Sequence, residues 1–128
     1  MEMVIELPAD VSSPALARRF VLRSFSGSGV EDLTDVVVLL VSELVTNAVL
    51  HARSDSVLKL SHERERLRVE LHDASTEGAV VVGGDERGGG AGGRGVLLVD
   101  ALADRWGSDR DERGKTVWFE LAAPSPPG

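Results

Sequence analysis

The spacing of apolar positions changes period several times along the chain, and each change marks an element. Between Glu31 and Ala52, EDLTDVVVLLVSELVTNAVLHA carries no glycine or proline and is too long for a strand, which predicts a long, largely buried helix. Ahead of it, Ile5 and Leu7 belong to a short run stopped by Pro8, an edge strand. Ser12 and Ser13 followed by Pro14 predict a helix start, with a hydroxyl cap and proline at the first helical position. Leu16, Phe20 and Val21 then recur at helical spacing until Gly27-Ser28-Gly29 ends the helix.

Beyond the long helix the period falls to two. SVLKLSH (Ser56 to His62) and RLRVELHD (Arg66 to Asp73) flank the charged Glu63-Arg64-Glu65, a pattern that predicts an antiparallel hairpin. A third apolar patch, Ala79 to Val82, leads into GGDERGGGAGGRG (Gly83 to Gly95), which cannot pack a core and reads as a mobile loop. Val96 to Trp106 predicts a second buried helix that begins on those glycines. A turn at Asp111 to Gly114 precedes a last strand, KTVWFELAA, with Val117, Phe119 and Leu121 on one face. The expected fold is α+β: a two-layer α/β sandwich whose mixed, mostly antiparallel sheet is covered by helices on one face. Residues 1–123 are expected to form one domain and 124–128 a disordered tail.

Composition narrows the function classes. A chain of 128 residues with 42% hydrophobic and 27% charged positions is ordinary for one globular domain. A net charge of -7 leaves no basic stripe for a nucleic-acid backbone, yet a single nucleotide can be held by backbone N–H groups and a divalent cation. Absence of cysteine removes disulfides and thiolate metal sites. No basic, apolar leader opens the chain, and the longest wholly apolar run, Val36 to Val41, is read as far short of a membrane span. A cytoplasmic location is therefore expected. His62 and His72 are expected at the surface, without a third ligand for a metal.

Three patterns carry candidate chemistry. Glu43, Asn47 and His51 are four apart and form a polar stripe on an otherwise Val/Leu/Ala helix. A hydrated Mg²⁺ on a phosphate chain would pair with it, Asn47 offering a carbonyl ligand and Glu43 accepting a proton from water or a hydroxyl. A solvated face paired with arginines accounts for the same stripe equally well. On the hairpin's second strand, Leu67, Val69, Leu71 and Asp73 share one parity, so Asp73 continues the apolar face and would take a donor such as the exocyclic amine of adenine. Capping the turn at Ser75 or Thr76 is the alternative. Finally, Gly92-Gly93-Arg94-Gly95 abuts the helix that starts at Val96, where free N–H groups make an anion site. Taken alone, that stretch reads more readily as a linker than as a phosphate site, and it matches neither a Walker loop nor a dinucleotide fingerprint.

In this order the three patterns resemble the N, G1 and G2 boxes of the GHKL (histidine kinase/HSP90-like) ATPases, and most of all the anti-sigma-factor serine/threonine kinases and their short actinobacterial-type relatives. SELVTNAVLHA (Ser42 to Ala52) is similar to the N box, VELHDAS (Val69 to Ser75) to G1, GGRGVLLVDALADRWG (Gly92 to Gly107) to G2 and GKTVWFEL (Gly114 to Leu121) to the closing strand. The resemblance implies the ATP-binding fold of that superfamily, with ATP and Mg²⁺ as cofactors. By that likeness Asn47 would ligand Mg²⁺, Glu43 would be the general base and Asp73 would bind the adenine amine. Gly93 and Gly95 would let the backbone wrap the phosphates, with Arg94 and Val96 in the same binding stretch. His51 would support the N box, Thr116 would lie beside the adenine, and Arg18 of the first helix would engage a partner protein.

Departures from the pattern bear on affinity. The wider superfamily carries Asp-x-Gly-x-Gly at G1, whereas this chain reads Asp73-Ala74-Ser75-Thr76-Glu77-Gly78, and the loop from Gly83 to Gly92 lacks the longer helical lid. The implied function is phosphorylation of a serine on an anti-anti-sigma (STAS-type) partner together with sequestration of a sigma factor. A homodimer is compatible with it, and neither nucleic acid nor membrane is an expected partner. The competing reading is a non-catalytic switch in which ATP only sets the conformation of a protein-interaction surface. A histidine-kinase fragment is a third, disfavoured because no dimerisation helices or phosphoacceptor segment precede the domain.

Overall fold

The alternation read in the hairpin extends across a five-stranded sheet. The computed structural model describes residues 2–74 and 93–124, with side chains from residue 98 onward in the second stretch. Strands β1 (Glu2–Leu7), β2 (Ser56–Glu63), β3 (Arg66–Asp73), β4 (Arg105–Asp111) and β5 (Gly114–Ala122) lie in the order β1-β2-β3-β5-β4, every neighbour antiparallel. The apolar patch at 79–82 and the glycine-rich stretch at 83–92 fall outside the described residues.

Register stacks the apolar parity into rows. Leu58, Leu71 and Val117 form one row across β2, β3 and β5, Leu60, Val69 and Phe119 the next, and His62, Leu67 and Leu121 a third. Helices α1 (Ser13–Phe25), α2 (Thr34–Asn47) and α3 (Gly93–Leu102) cover this face. Ala17, Val21 and Phe25 of α1, Val37, Leu40, Val41, Leu44 and Val45 of α2, and Val99 of α3 join the strand residues in one core. Each fully buried Leu or Phe contributes about 1.5–3 kcal/mol, which outweighs the weak helix propensity of the valines in α2.

His62 corrects the expectation of a surface residue. It is fully buried, and its Nε2 lies 2.6 Å from the Pro124 carbonyl oxygen. Its parity with Leu58 and Leu60 sends it inward, and the backbone oxygen satisfies one ring nitrogen there. His72, of the opposite parity, is half-buried with Nδ1 2.9 Å from the Thr116 hydroxyl.

The open face of the sheet is polar and ordered. Glu120, only 7% exposed, accepts from Arg68 Nη1 at 2.8 Å and lies 3.4 Å from Arg66 and 3.7 Å from Arg105. Burial works against the charge on Arg68, but hydrogen bonds to Glu70 and Glu120 outweigh it and hold its guanidinium above the ordinary arginine range. That guanidinium also sits 4.2 Å over the Trp118 ring.

Three element expectations change. The hydroxyls at the start of α1 do not cap it: Ser12 Oγ donates back to Asp10 Oδ2 and Ser13 Oγ to the Pro8 carbonyl. Pro14 does sit in the first turn, where its missing N–H costs nothing. Helix α3, expected over Val96 to Trp106, begins earlier and stops at Leu102, and Trp106 belongs to strand β4 instead. Asp104 N donates to the Glu120 carbonyl at 2.9 Å and Asp104 Oδ2 accepts from Ala122 N at 2.7 Å, so the chain is captured by β5 as soon as the helix ends. Trp106 keeps contact with the helix through its indole N–H, which donates to Asp100 Oδ1 at 2.8 Å.

The third change concerns length and apolarity. The continuous helical stretch Glu31–Ala52, at mean hydropathy 1.8 over an 18-residue window, is long and apolar enough to cross a membrane. Here it serves as the core helix, packed on α1, α3 and the sheet.

Candidate functional site

Position along α2 decides which polar residues of the long helix turn inward. The stretch opens with a single 3₁₀ turn, Glu31–Leu33, runs as α-helix from Thr34 to Asn47, and finishes as a π-helical turn, Ala48–Ala52. Glu43 and Asn47 lie one turn apart in the α-helical part, both half-buried, and neither lacks a partner. His51 lies past the switch to wider hydrogen bonding and is exposed, so the stripe of three resolves into two residues facing the core's rim and one in solvent. Single π turns of this kind recur at functional sites because the extra residue re-aims the chain.

The π turn delivers the chain to the end of β3. Arg53 N donates to the Ala48 carbonyl at 2.9 Å, and Arg53 itself adopts the left-handed conformation that stops the helix. Ser54 Oγ then accepts from Ala74 N at 3.1 Å, and Asp55 Oδ1 accepts from Ala9 N at 3.0 Å. Ser56 follows directly and pairs with Asp73. The C-terminal end of the Glu43/Asn47 helix is thereby stitched to the strand end that carries Asp73.

Asp73 points where its parity places it. The residue is 3% exposed on the helix-covered face, at the last position of β3, between Ser56 of β2 and Lys115 of β5. Lys115 Nζ lies 3.8 Å from Asp73 Oδ2, with side chains 22% and 4% exposed. The backbones there are pressed together. Gly114 has φ +139°, and a Cβ on it would stand 2.0 Å from the Asp73 carbonyl oxygen. Only glycine fits that approach.

Thr116 is the site expectation that the geometry does not bring to Asp73. It pairs with His72, not Asp73, and its hydroxyl bonds His72 on the open face of the sheet. Residues directly opposite in a ladder share a face, so the β5 side chain beside Asp73 is Lys115. The signal for Lys115 was present: it has the parity of Val117, Phe119 and Leu121, the face already assigned to the core.

The glycine-to-helix junction begins at Gly93, so Gly93, Arg94, Gly95 and Val96 form the first turn of α3. The N–H groups of Gly93, Arg94 and Gly95 lack intrahelical acceptors and sit at the positive end of the helix dipole. Gly92 and Ser75, Thr76, Glu77 and Gly78 fall outside the described residues. Arg18 is exposed on α1, opposite the buried Ala17–Val21–Phe25 face. Two surface hollows lie elsewhere, one of about 730 Å³ over the β2–β3 turn and one of about 320 Å³ beside Pro8 and His72, and neither is lined by Glu43, Asn47 or Asp73.

A helix-covered antiparallel sheet, an Asn/Glu pair on the central helix and a buried aspartate at a strand end define a domain of the GHKL architecture. The chain belongs to the histidine kinase-like ATPase domain family, whose model matches residues 7–121. In fold it is similar to the solved RsbU and RsbW domains of Rv1364c from Mycobacterium tuberculosis, at TM-score 0.71 and 17% sequence identity over 98% of this chain. The chain spans 34% of that longer protein. No curated protein sequence matches it.

Proposed function

We propose that this chain binds ATP with Mg²⁺ and acts as a protein serine/threonine kinase of the anti-sigma-factor type. The observation that supports it most is the placement of a buried carboxylate, Asp73, at the end of the central strand, beside the point where the Glu43/Asn47 helix ends. The donor set fits such a ligand: an inward carboxylate for the base amine, an amide carbonyl for the cation and first-turn N–H groups for phosphate. When bound, ATP supplies the phosphoryl group and Mg²⁺ offsets its charge.

The chain's own residues would do the rest. Asp73 accepts a hydrogen bond from the exocyclic amine and so selects adenine over a base without that donor. Asn47 holds the cation through its side-chain carbonyl. The first-turn amides of Gly93, Arg94 and Gly95 would offer donors to phosphate oxygens. Glu43, one helical turn before Asn47, takes the proton from an incoming serine hydroxyl. The serine would belong to an anti-anti-sigma partner of the STAS type, with a sigma factor as the second, sequestered partner. Arg18, on the outer side of α1, is available to such a protein. The setting would be cytoplasmic, and a homodimer is compatible with it.

Calorimetric titration of ATP with Mg²⁺ into the wild type and Asp73→Asn, with GTP as control, is the direct test. Selective ATP binding that collapses in the variant supports the site, and absence of binding at millimolar ATP refutes it. Phosphotransfer by wild type and Glu43→Ala then separates a kinase from a switch that binds ATP without turning it over.

A further inference from the structure

The base end of the site holds a second charged group that neither the family match nor the fold likeness assigns. Lys115 stands directly across from Asp73 in the β3–β5 ladder, on the same helix-covered face. Its position is not left to side-chain flexibility alone. Gly114, the preceding residue, has its backbone against the Asp73 carbonyl, with room for no Cβ. The stem of Lys115 is therefore anchored beside Asp73, and the side chain is only 22% exposed.

At 3.8 Å the Nζ–Oδ2 separation is an ion pair longer than a hydrogen bond. An ammonium carries three donors, so a contact of this length leaves donors on Lys115 for a ligand. Side by side, the two head groups present an acceptor next to a donor. That is the complement of a flat ring edge bearing a donor next to an acceptor, which adenine offers as its 6-amino group and N1.

We propose that Lys115 is a specificity-determining residue that donates to N1 of the adenine while Asp73 accepts from the 6-amino group. The assignment rests on the reading of Asp73 as the base-binding carboxylate. The pair reads two adjacent atoms of one edge, whereas a lone carboxylate reads one.

An analogue that changes only the ring atom tests the proposal. Binding of ATP and of 1-deaza-ATP, in which N1 is replaced by C–H, is measured by calorimetry on the whole chain, as wild type, Lys115→Met, Lys115→Arg and Asp73→Asn. The wild type is expected to prefer ATP about tenfold, the value of one charge-assisted hydrogen bond at about 1.4 kcal/mol. Lys115→Met binds the two alike, Lys115→Arg keeps a preference, and Asp73→Asn weakens both. A lysine that merely braced Asp73 would lower both affinities in Lys115→Met and leave their ratio unchanged, which refutes the proposal. Equal wild-type affinities together with loss of ATP binding in Asp73→Asn refute Lys115 but keep Asp73. Failure of the wild type to bind ATP overturns both.

Discussion

Gly114 and Asp73 touch backbone to backbone: a Cβ on the glycine would lie 2.0 Å from the aspartate's carbonyl oxygen and 2.9 Å from the Ala74 Cα. The contact closes the β4–β5 turn against the end of β3 and sets the height at which Lys115 and Asp73 face each other. Gly114→Ala must move one of two backbones and also occupy φ +139°. A cost of about 2–4 kcal/mol is expected from the steric and conformational terms together. Thermal denaturation should show it as a fall of roughly 10 °C or more for a domain of this size. A variant as stable as the wild type would mean the turn can lift away freely.

Gly107 plays a related part against a side chain. A Cβ there would come within 2.8 Å of the Trp118 ring, which Arg68 covers from 4.2 Å. Gly107→Val should rotate the indole out from beneath the guanidinium, at a cost of about 1–3 kcal/mol. Tryptophan emission should shift along with the melting temperature, and a Trp118→Phe background should remove most of the spectral change.

Glu120 gathers Arg66, Arg68 and Arg105 on the open face while itself only 7% exposed. Glu120→Ala leaves Arg68 half-buried with one carboxylate partner fewer, and about 1–3 kcal/mol of stability should be lost in denaturant titration. Because Arg66 and Arg105 are more than half exposed, at 55% and 61%, their single substitution should each cost under ~1 kcal/mol.

Asp10 supplies the pH dependence. Hydrogen bonds from the Ser12 side chain and backbone N–H hold its carboxyl below the ordinary aspartate value. A carboxyl with its folded value depressed contributes stability above its unfolded value, near ~4, and loses it as pH falls through the folded one. Ser12→Ala should therefore destabilise at pH 7 and become indistinguishable from wild type in strongly acidic buffer. Unfolding curves at pH 7 and pH 2 check this, and a difference that persists undiminished at low pH would assign the effect to something other than the carboxylate.

The amino-acid sequence by itself determined the elements whose pattern is local. Period-two alternation placed β2, β3 and β5 and turned Asp73 inward, since a strand's parity is a property of the backbone alone. The uninterrupted apolar run placed the central helix, and four-residue spacing put Glu43 and Asn47 on one side of it. Tertiary structure decided what depends on a neighbour. Strand β4 was hidden because Ala103 and Trp106 continue a helical spacing, and only pairing with β5 through Asp104 and Glu120 ends the helix at Leu102. His51 left the stripe because it falls in the π turn, Ala48–Ala52, that ends the helix. Parity marked Lys115 as inward, but which strand lies beside β3, and so which residue faces Asp73, is set by sheet order and register. Sheet order joins residues far apart in the chain, and local periodicity carries no record of it.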